Sequence, residues 1–465
     1  FPPDSPSPGL VQFDAMALAR VVLDVAHATI AAATAAGEQI AALGITAQRA
    51  TTIVWDRTTG VPIGPAIGWQ DLRTVIECIM AKAEHGLALA PNQSATKIGW
   101  LLANHAPHTT NPLRDGDAGQ RGDLAFGTVD SWIAWVLSGG TAHITDHTNA
   151  AVTGLYDLAS GGWSEPACAA LGVPMEMLPT IVDSSGELAI ASVLPGAPPI
   201  CGLAGDQQAS LVGQGCIHPG RAKITFGTGG MLDVCTGLDT PTTANRSANG
   251  TFPIVAWSQA GTRRFGTEAI MLSAGTNVEW LCDDMGLIET PADSDAVARQ
   301  CDSTDGVVYV PALLGLGTPQ WDYGARGALF GVTRGTTRAH VVRAVLEGVA
   351  QRGADLVESA EADFGRPIPA LRIDGGMSQN PTFVQALADA TQRPVQVSAV
   401  TEATTIGAGL LAGVAAGVWP SLDAVADSTA TSSVVDPQAS FDRDRWREAV
   451  SRTTHWIPDL SSLDF

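Results

Sequence analysis

A carboxylate and a glycine turn are the first residues in this sequence that could do chemistry together. The stretch Gly202-Leu203-Ala204-Gly205-Asp206-Gln207-Gln208 is followed, a short way downstream, by Thr225-Phe226-Gly227-Thr228-Gly229-Gly230. Asp206 carries an acceptor-only side chain that can take a proton, and Gln207 offers both a donor and an acceptor for recognising hydroxyls. Gly205 lets the backbone come close to a small ligand. Arg221 to Phe226 reads as a strand, so the Gly-Thr-Gly-Gly run opens a turn with exposed backbone N–H groups and a hydroxyl, the makings of a phosphate nest. The pairing points to phosphoryl transfer to a hydroxyl, with Asp206 deprotonating the acceptor and the turn steadying nucleotide phosphates. Either fragment alone reads as an ordinary turn in a chain with 50 glycines, so their spacing and what lies downstream carry the weight.

The elements that must hold these residues alternate between strand and helix. Asp14 to Ala36 is alanine-rich with Val21, Val22, Val25 and Ile30 at helical spacing, and Gly37 stops it. Leu43 to Thr46 and Thr51 to Trp55 have strand character and flank Gln48-Arg49, and Asp56 to Pro62 is a turn. Helices are predicted around Asp71 to Gly86, Lys97 to Asn104 and Asp130 to Leu137. In the second half, Gly266 to Leu281 reads as a strand end then a helix, and His340 to Phe364 as a long helix. The strand Leu371 to Asp374 runs into Gly375-Gly376, and Asn380-Pro381 then supplies a cap and an N1 proline for a helix through Thr391. A strand leading through glycines to a helix start is a ready anion or nucleotide site. A further helix opens at Glu402-Ala403-Thr404-Thr405, where Gly407, Ala408 and Gly409 allow close packing, and a terminal amphipathic helix carries Trp446 and Trp456. The alternation has no fixed period, which favours an α/β fold over a solenoid or propeller.

Composition narrows the partners. A chain of 465 residues is too long for one core, so two domains or more are expected. The formal net charge of −21 argues against nucleic-acid backbones and anionic membrane surfaces. Lysine occurs only at Lys82, Lys97 and Lys223, arginine supplying the other positive charges. The seven cysteines form no C-x-x-C pair, which suits a reduced, cytoplasmic compartment. The longest apolar run, Ile406 to Trp419, is broken by glycines and too short to span a bilayer, so no membrane span is expected.

Neither a Walker A loop nor a strand-coupled Gly-x-Gly-x-x-Gly fingerprint occurs. An actin-like scaffold needs neither, because it holds ATP between two domains with glycine hairpins, which suits the turns at 227 to 230 and 375 to 376. Further segments point the same way: Gly44-Ile45-Thr46-Ala47-Gln48-Arg49, Thr51-Thr52-Ile53-Val54-Trp55, Phe126-Gly127-Thr128-Val129-Asp130-Ser131-Trp132 and Ala204-Gly205-Asp206-Gln207-Gln208. So do Gly315-Leu316-Gly317-Thr318-Pro319 with Trp321-Asp322, Ala325-Arg326-Gly327, Asp374-Gly375-Gly376 and Thr405-Ile406-Gly407-Ala408-Gly409. On these residues the chain resembles the FGGY carbohydrate kinases, within them the glycerol kinase branch, over nearly its whole length. The resemblance implies two ribonuclease-H-like, actin-like ATPase domains: residues 1–209 binding the polyol and 210–465 binding the nucleotide. It implies phosphorylation of a terminal hydroxyl of a polyol or sugar by ATP with Mg2+ in the cleft between them, and a homo-oligomer, dimer or tetramer.

The same resemblance assigns roles. Asp206 would be the general base, touching the metal only indirectly through Mg-ATP. Gln48, Arg49, Trp69 and Gln207 would contact the acceptor, Trp69 as an apolar wall. Gly227, Thr228 and Gly229 would face the phosphates, and Gly275, Gly375, Gly376 and Asn380 would line the nucleotide pocket, with Glu279 in place of the family's usual glutamine. Three acceptor contacts depart from the glycerol kinase pattern: Ala50 replaces a glutamate, Asn92 a tyrosine and Met231 a phenylalanine. Loss of a carboxylate acceptor weakens binding of the hydroxyl it held by about 1.5–3 kcal/mol. The expected acceptor is therefore longer than glycerol: a tetritol, pentitol or ketopentose.

FGGY kinases open with a strand, an Asp-x-Gly-Thr turn and a second strand. This sequence starts at Phe1-Pro2-Pro3, after that point and without a methionine, so the expectation is a truncated chain that lacks the family's first strands. The competing reading is a non-catalytic sugar or nucleotide sensor on the same fold. His143-Ile144-Thr145-Asp146-His147 has metal-like spacing but no completing ligands and reads as structural. Asp115-Gly116-Asp117 reads as a solvated turn, and Asp283-Asp284 as the end of the helix before it.

Overall fold

The computed structural model describes residues 3–105, 123–243, 245–400, 402–426, 429 and 431–463. The Asp115-Gly116-Asp117 turn lies outside the described residues. The largest sheet has ten strands: β1 (Leu43–Ala47), β2 (Ser185–Ile190), β3 (Pro199–Gly205), β4 (Ala222–Phe226), β5 (Gly230–Gly237), β6 (Phe252–Gln259), β7 (Thr262–Met271), β8 (Leu371–Asp374), β9 (Val395–Ser398) and β10 (Thr431–Val435). Their spatial order is β1-β3-β2-β6-β7-β5-β4-β8-β9-β10. The order shows two sheet systems joined thinly, since β2 and β6 meet through the single pair Ser185–Gln259. On the first side β1 runs parallel to β3. On the second, β6, β7, β5 and β4 form an antiparallel meander that continues into parallel β8 and β9.

Helices cover these sheets where the apolar spacing demands. They include α1 (Ala15–Ala35), α2 (Val75–His85), α3 (Val129–Leu137), α4 (Asp206–Gly213), α5 (Thr276–Asp283), α6 (Arg338–Phe364), α7 (Pro381–Thr391) and α8 (Ala403–Ala415). The Asp14 side chain caps α1 by accepting from Met16 N at 2.8 Å, and Gly37 follows its end with φ +77°. Asn380 caps α7 by accepting from Phe383 N at 3.0 Å, with Pro381 as its first residue. The second core is built from Ile224, Phe226, Leu232, Val345, Leu356, Ile373, Phe383 and Leu387, which join β4, β5, β8, α6 and α7. The first gathers Ile45, Trp55, Val129, Trp132, Ile200 and Leu203 around β1, β3 and α3.

Among the described residues one helix, α1, is long and apolar enough to cross a bilayer by length and composition, with 21 residues and a mean hydropathy of 1.5. Its many alanines raise hydropathy without forming a contiguous run of large side chains. It is docked on the first core through Leu18, Val22, Leu23 and Ala26, and Trp132 Nε1 donates to Ala15 O at 3.0 Å.

The two sides are tied by α8, which lies against α4, β1 and β3 and whose Leu410, Leu411 and Val414 share an apolar cluster with Ala256 and Trp257 of β6. The small residues expected to permit this do so at Gly407, where a Cβ would stand 1.8 Å from Ala209 O. Gly409 faces open space and plays no such part.

Candidate active site

Asp206 is the first residue of α4, at the point where β3 ends. A negative side chain is favoured at a helix start, where unpaired N–H groups and the helix dipole point outward, and its Oδ1 accepts from Gln207 N at 2.9 Å. Gly205 N donates to Thr148 Oγ1 at 2.8 Å, which fixes the turn from below. A Cβ at Gly205 would come within 2.7 Å of Arg49 Cδ, so the glycine lets the arginine stem cross the strand end.

Arg49, in the loop after β1, is the hub. Its Nη2 lies 2.7 Å from Glu268 Oε2 and its Nε 3.6 Å from Asp206 Oδ1. Nη1 donates to Gln208 Oε1 at 3.5 Å, and Nη2 is 3.9 Å from Met231 Sδ. Burial opposes the guanidinium charge, but the carboxylates of Glu268, Asp206 and Asp233 outweigh it and raise its pKa. Burial pushes the Glu268 carboxyl up to about 7, against the pull of Arg49 and with the Asp233 carboxylate adding to the push. Gln207, half-buried, accepts at Oε1 from Lys223 Nζ at 2.6 Å.

The other residues expected on the acceptor side are held near Arg49 through their backbones. Ser94 Oγ donates to Ala50 O at 3.0 Å, which ties the Pro91-Asn92 segment to the residue following Arg49. Thr52 pairs with Ile67, and Lys97 Nζ donates to Gly68 O at 2.8 Å and Trp69 O at 3.5 Å, holding the Trp69 loop alongside. Ala50 itself is buried with φ +59°, in the left-handed region that a Cβ disfavours. The Asn92 and Trp69 side chains are exposed and make no hydrogen bond to Arg49, Asp206 or Gln207 among the described residues. Gln48 Nε2 donates to Thr51 Oγ1 at 3.0 Å.

The glycine turn is clasped on two sides. Gly275 N donates to Gly227 O and Ala274 N to Thr228 O, each at 2.8 Å, so the turn packs on the start of α5. Gly375 has φ +86°, and a Cβ there would meet Phe226 O at 2.4 Å; only glycine lets the end of β8 pass so close to the end of β4. The structure thus brings Gly227, Thr228, Gly229, Gly275, Gly375 and Gly376 together. Glu279 is exposed on the first turn of α5. Asn380 is committed at both ends, since its cap carbonyl serves Phe383 N and its Nδ2 donates to Ser294 Oγ at 2.9 Å. Asp374, just before the glycine pair, accepts from Ser210 Oγ at 3.1 Å through Oδ2, while its buried Oδ1 has no hydrogen-bond partner.

Residues 1–213 match the N-terminal domain model of the FGGY family of carbohydrate kinases, and residues 222–416 match the C-terminal domain model. The chain belongs to this family. It is 40% identical over 470 residues to the glycerol kinase of Deinococcus radiodurans, covering 98% of this chain and 91% of that protein. It is 42% identical over 467 residues to the glycerol kinase of Dechloromonas aromatica, covering 97% and 91%. The structure of Plasmodium falciparum glycerol kinase with ADP aligns with a TM-score of 0.86 at 30% identity, over 97% of this chain and 92% of that one. As an FGGY member the chain has the two-domain, actin-like ATPase fold and is a carbohydrate kinase, which phosphorylates a polyol or sugar hydroxyl with ATP.

Sequence reasoning missed several residues that the structure brings next to Arg49, Asp206 and the glycine turn. Lys223, Glu268 and Asp233 meet only through strand register, and Asp374 was noted only as part of a motif. Conversely, the histidine pair near Asp146 is structural: His143 Nε2 bonds Phe126 O at 2.7 Å and His147 Nδ1 bonds Tyr156 OH at 2.8 Å. Among the described residues no group of three or more His, Cys, Asp or Glu could hold a metal ion.

Proposed function

We propose that this kinase phosphorylates a polyol or sugar longer than glycerol, with Asp206 as general base. The observation that carries the chemistry is the convergence of Arg49, Asp206 and Gln207 at one helix start, with Asp206 tied through α4 and Ser210 to the end of β8 beside the glycine turn. The acceptor hydroxyl oxygen attacks the γ-phosphorus as Asp206 takes its proton, and the β–γ bridging bond breaks to release ADP. Arg49 and Gln207 orient the acceptor, and the N–H groups of the 227 to 230 turn face the phosphates. Gly275, Gly375, Gly376 and the backbone near Asn380 line the nucleotide side, while Trp69 and Asn92 edge the acceptor side.

Mg2+ fits beside the turn, where Asp374 Oδ1 is buried and unpartnered. With no three-ligand protein cluster among the described residues, the ion would sit chiefly on phosphate oxygens and water, with Asp206 and Asp374 as carboxylates in its surroundings. Bound there, it would offset charge developing on the transferred group.

The acceptor class rests on the neighbours of Arg49. Ala50 brings a methyl where the glycerol kinase branch has a carboxylate, and the flexible Met231 thioether packs on the guanidinium. We assign acceptor binding to residues 1–209 and nucleotide binding to 210–465. A cytoplasmic homo-oligomer accords with the family and with seven cysteines that are all unpaired. Initial rates on glycerol, erythritol, the pentitols and the ketopentoses test the acceptor class; a clear preference for glycerol overturns it.

A further inference from the structure

Beneath Gln207 lies a row of charge across the middle of the sheet. In register, Lys223 on β4 faces Asp233 on β5, and Asp233 faces Glu268 on β7. All three are buried, with Lys223 and Asp233 fully so. Three ionisable side chains in line on one face of three central strands are costly to bury, and the Asp233–Glu268 neighbours repel unless cations or a proton offset them. The cations are Lys223, 2.7 Å from Asp233, and Arg49, 2.7 Å from Glu268.

Lys223 does more than neutralise. Its ammonium has three protons and no acceptor. It forms an ion pair with Asp233 Oδ2 at 2.7 Å, and it donates to Thr225 Oγ1 at 3.0 Å and to Gln207 Oε1 at 2.6 Å. The first two sit on β5 and β4, whereas the third belongs to a half-buried side chain next to Asp206. Because the ammonium can only donate, Gln207 must turn its carbonyl oxygen to Lys223. Its Nε2 then has no partner among the described residues and is left as a donor.

We propose that Lys223, held by Asp233, is a positioning residue that fixes the direction of the Gln207 amide, while Glu268 does the same for Arg49. The row thus presents two side chains to the acceptor as donors only, Nε2 of Gln207 and the guanidinium of Arg49. The acceptor hydroxyls they meet are read as hydrogen-bond acceptors, and the protons of those hydroxyls are left for Asp206 and solvent. This inference rests on the acceptor-binding role proposed for Gln207 and Arg49.

A double-mutant cycle with Lys223→Met and Gln207→Ala tests it on the full chain. With the best acceptor of the polyol panel, each single variant is expected to raise acceptor KM at least about tenfold and to leave the KM for ATP nearly unchanged. The double variant is expected to match the single ones, because Lys223 acts through Gln207. Multiplying effects, or an unchanged acceptor KM in folded Lys223→Met, overturn the proposal. If Lys223→Met does not fold, Lys223→Met with Asp233→Leu removes both charges together and carries the same expectations. Ligand-free crystal structures give a reading independent of any substrate: one Gln207 rotamer in the wild type and several in the Lys223 variant. A Gln207 that stays in place without Lys223 overturns the clamp, whereas a wild type that phosphorylates no polyol or sugar overturns the functional reading instead.

Discussion

Replacing Asp206 by asparagine keeps the shape of the side chain and removes its ability to take a proton. The fold should tolerate this. Oδ1 still accepts from Gln207 N, now at 2.9 Å, and Arg49 keeps Glu268 at 2.7 Å, so no buried cation is orphaned. The loss is a negative charge at the start of α4, about 0.3–1 kcal/mol for a partly exposed helix terminus. The loss in turnover should be far larger. A positioned general base contributes roughly 10²–10⁴-fold, which is about 3–5 kcal/mol of barrier. Coupled-assay ADP release with the best acceptor gives kcat, and calorimetric titration of the acceptor alone gives its affinity. We expect kcat to fall by two decades or more, with a Kd within a few-fold of the wild type and a melting curve little displaced. A kcat within about threefold of the wild type, in a variant that still binds acceptor, would refute Asp206 as the base.

Two further changes test the acceptor pocket and its support. Ala50→Glu restores a carboxylate beside Arg49 and should improve glycerol binding by at least about tenfold, the equivalent of one charge-assisted hydrogen bond of about 1.5–3 kcal/mol, while impairing longer polyols; unchanged KM values across the panel would count against the pocket assignment. Lys97, whose pKa burial lowers to about 7, is more readily protonated in the unfolded chain. Its contribution to stability is therefore complete only above the unfolded value and declines as pH falls toward about 7, so urea midpoints should favour the wild type over Lys97→Met increasingly from neutral to alkaline pH. A pH-independent gap would rule out that linkage.

Much of the scaffold was legible because its signals are local. Asp14 before an apolar-periodic run, Asn380-Pro381 before another, and Leu371–Asp374 ahead of two glycines each declare a boundary within a few residues. The Asp206 and Gly227 segments were legible for the same reason. The buried charge row was not. Lys223, Asp233 and Glu268 meet only if β4, β5 and β7 pair in one register, and a slip of one residue would turn any of them to the other face. That register includes an irregularity between Cys235 and Gly237, and the strand β6 stands between β5 and β7 in sequence though not in the sheet. Lysine usage did hold a clue. In a chain that otherwise relies on arginine, Lys97 and Lys223 are both buried, and each ammonium donates to two oxygens, Gly68 O and Trp69 O for the first and Gln207 Oε1 and Thr225 Oγ1 for the second. The exposure of Asn92 was equally hidden, since the carbonyl of Ala50 and the hydroxyl of Ser94 that tie its loop down are far apart in sequence.

The placement of the proposed base relative to the glycine turn follows from one short helix. Among the described residues the two sheet systems share one ladder pair, Ser185–Gln259, with hydrogen bonds between Ser184 and Ser258 beside it, a narrow seam on which to fix a reacting geometry. α4 supplies the missing stiffness. Its first residue is Asp206, its second reaches Lys223 under the sheet, and its fifth, Ser210, reaches Asp374 beside the turn. α8 braces it from the other side, with Thr404 Oγ1 donating to Asp206 O at 3.4 Å and Gly407 allowing backbone contact with Ala209. A side chain at Gly407 would therefore push α4 as a unit, moving the base, the Gln207 donor and the Asp374 contact together. Such a change lies away from the acceptor, yet it would displace every group that the chemistry needs aligned.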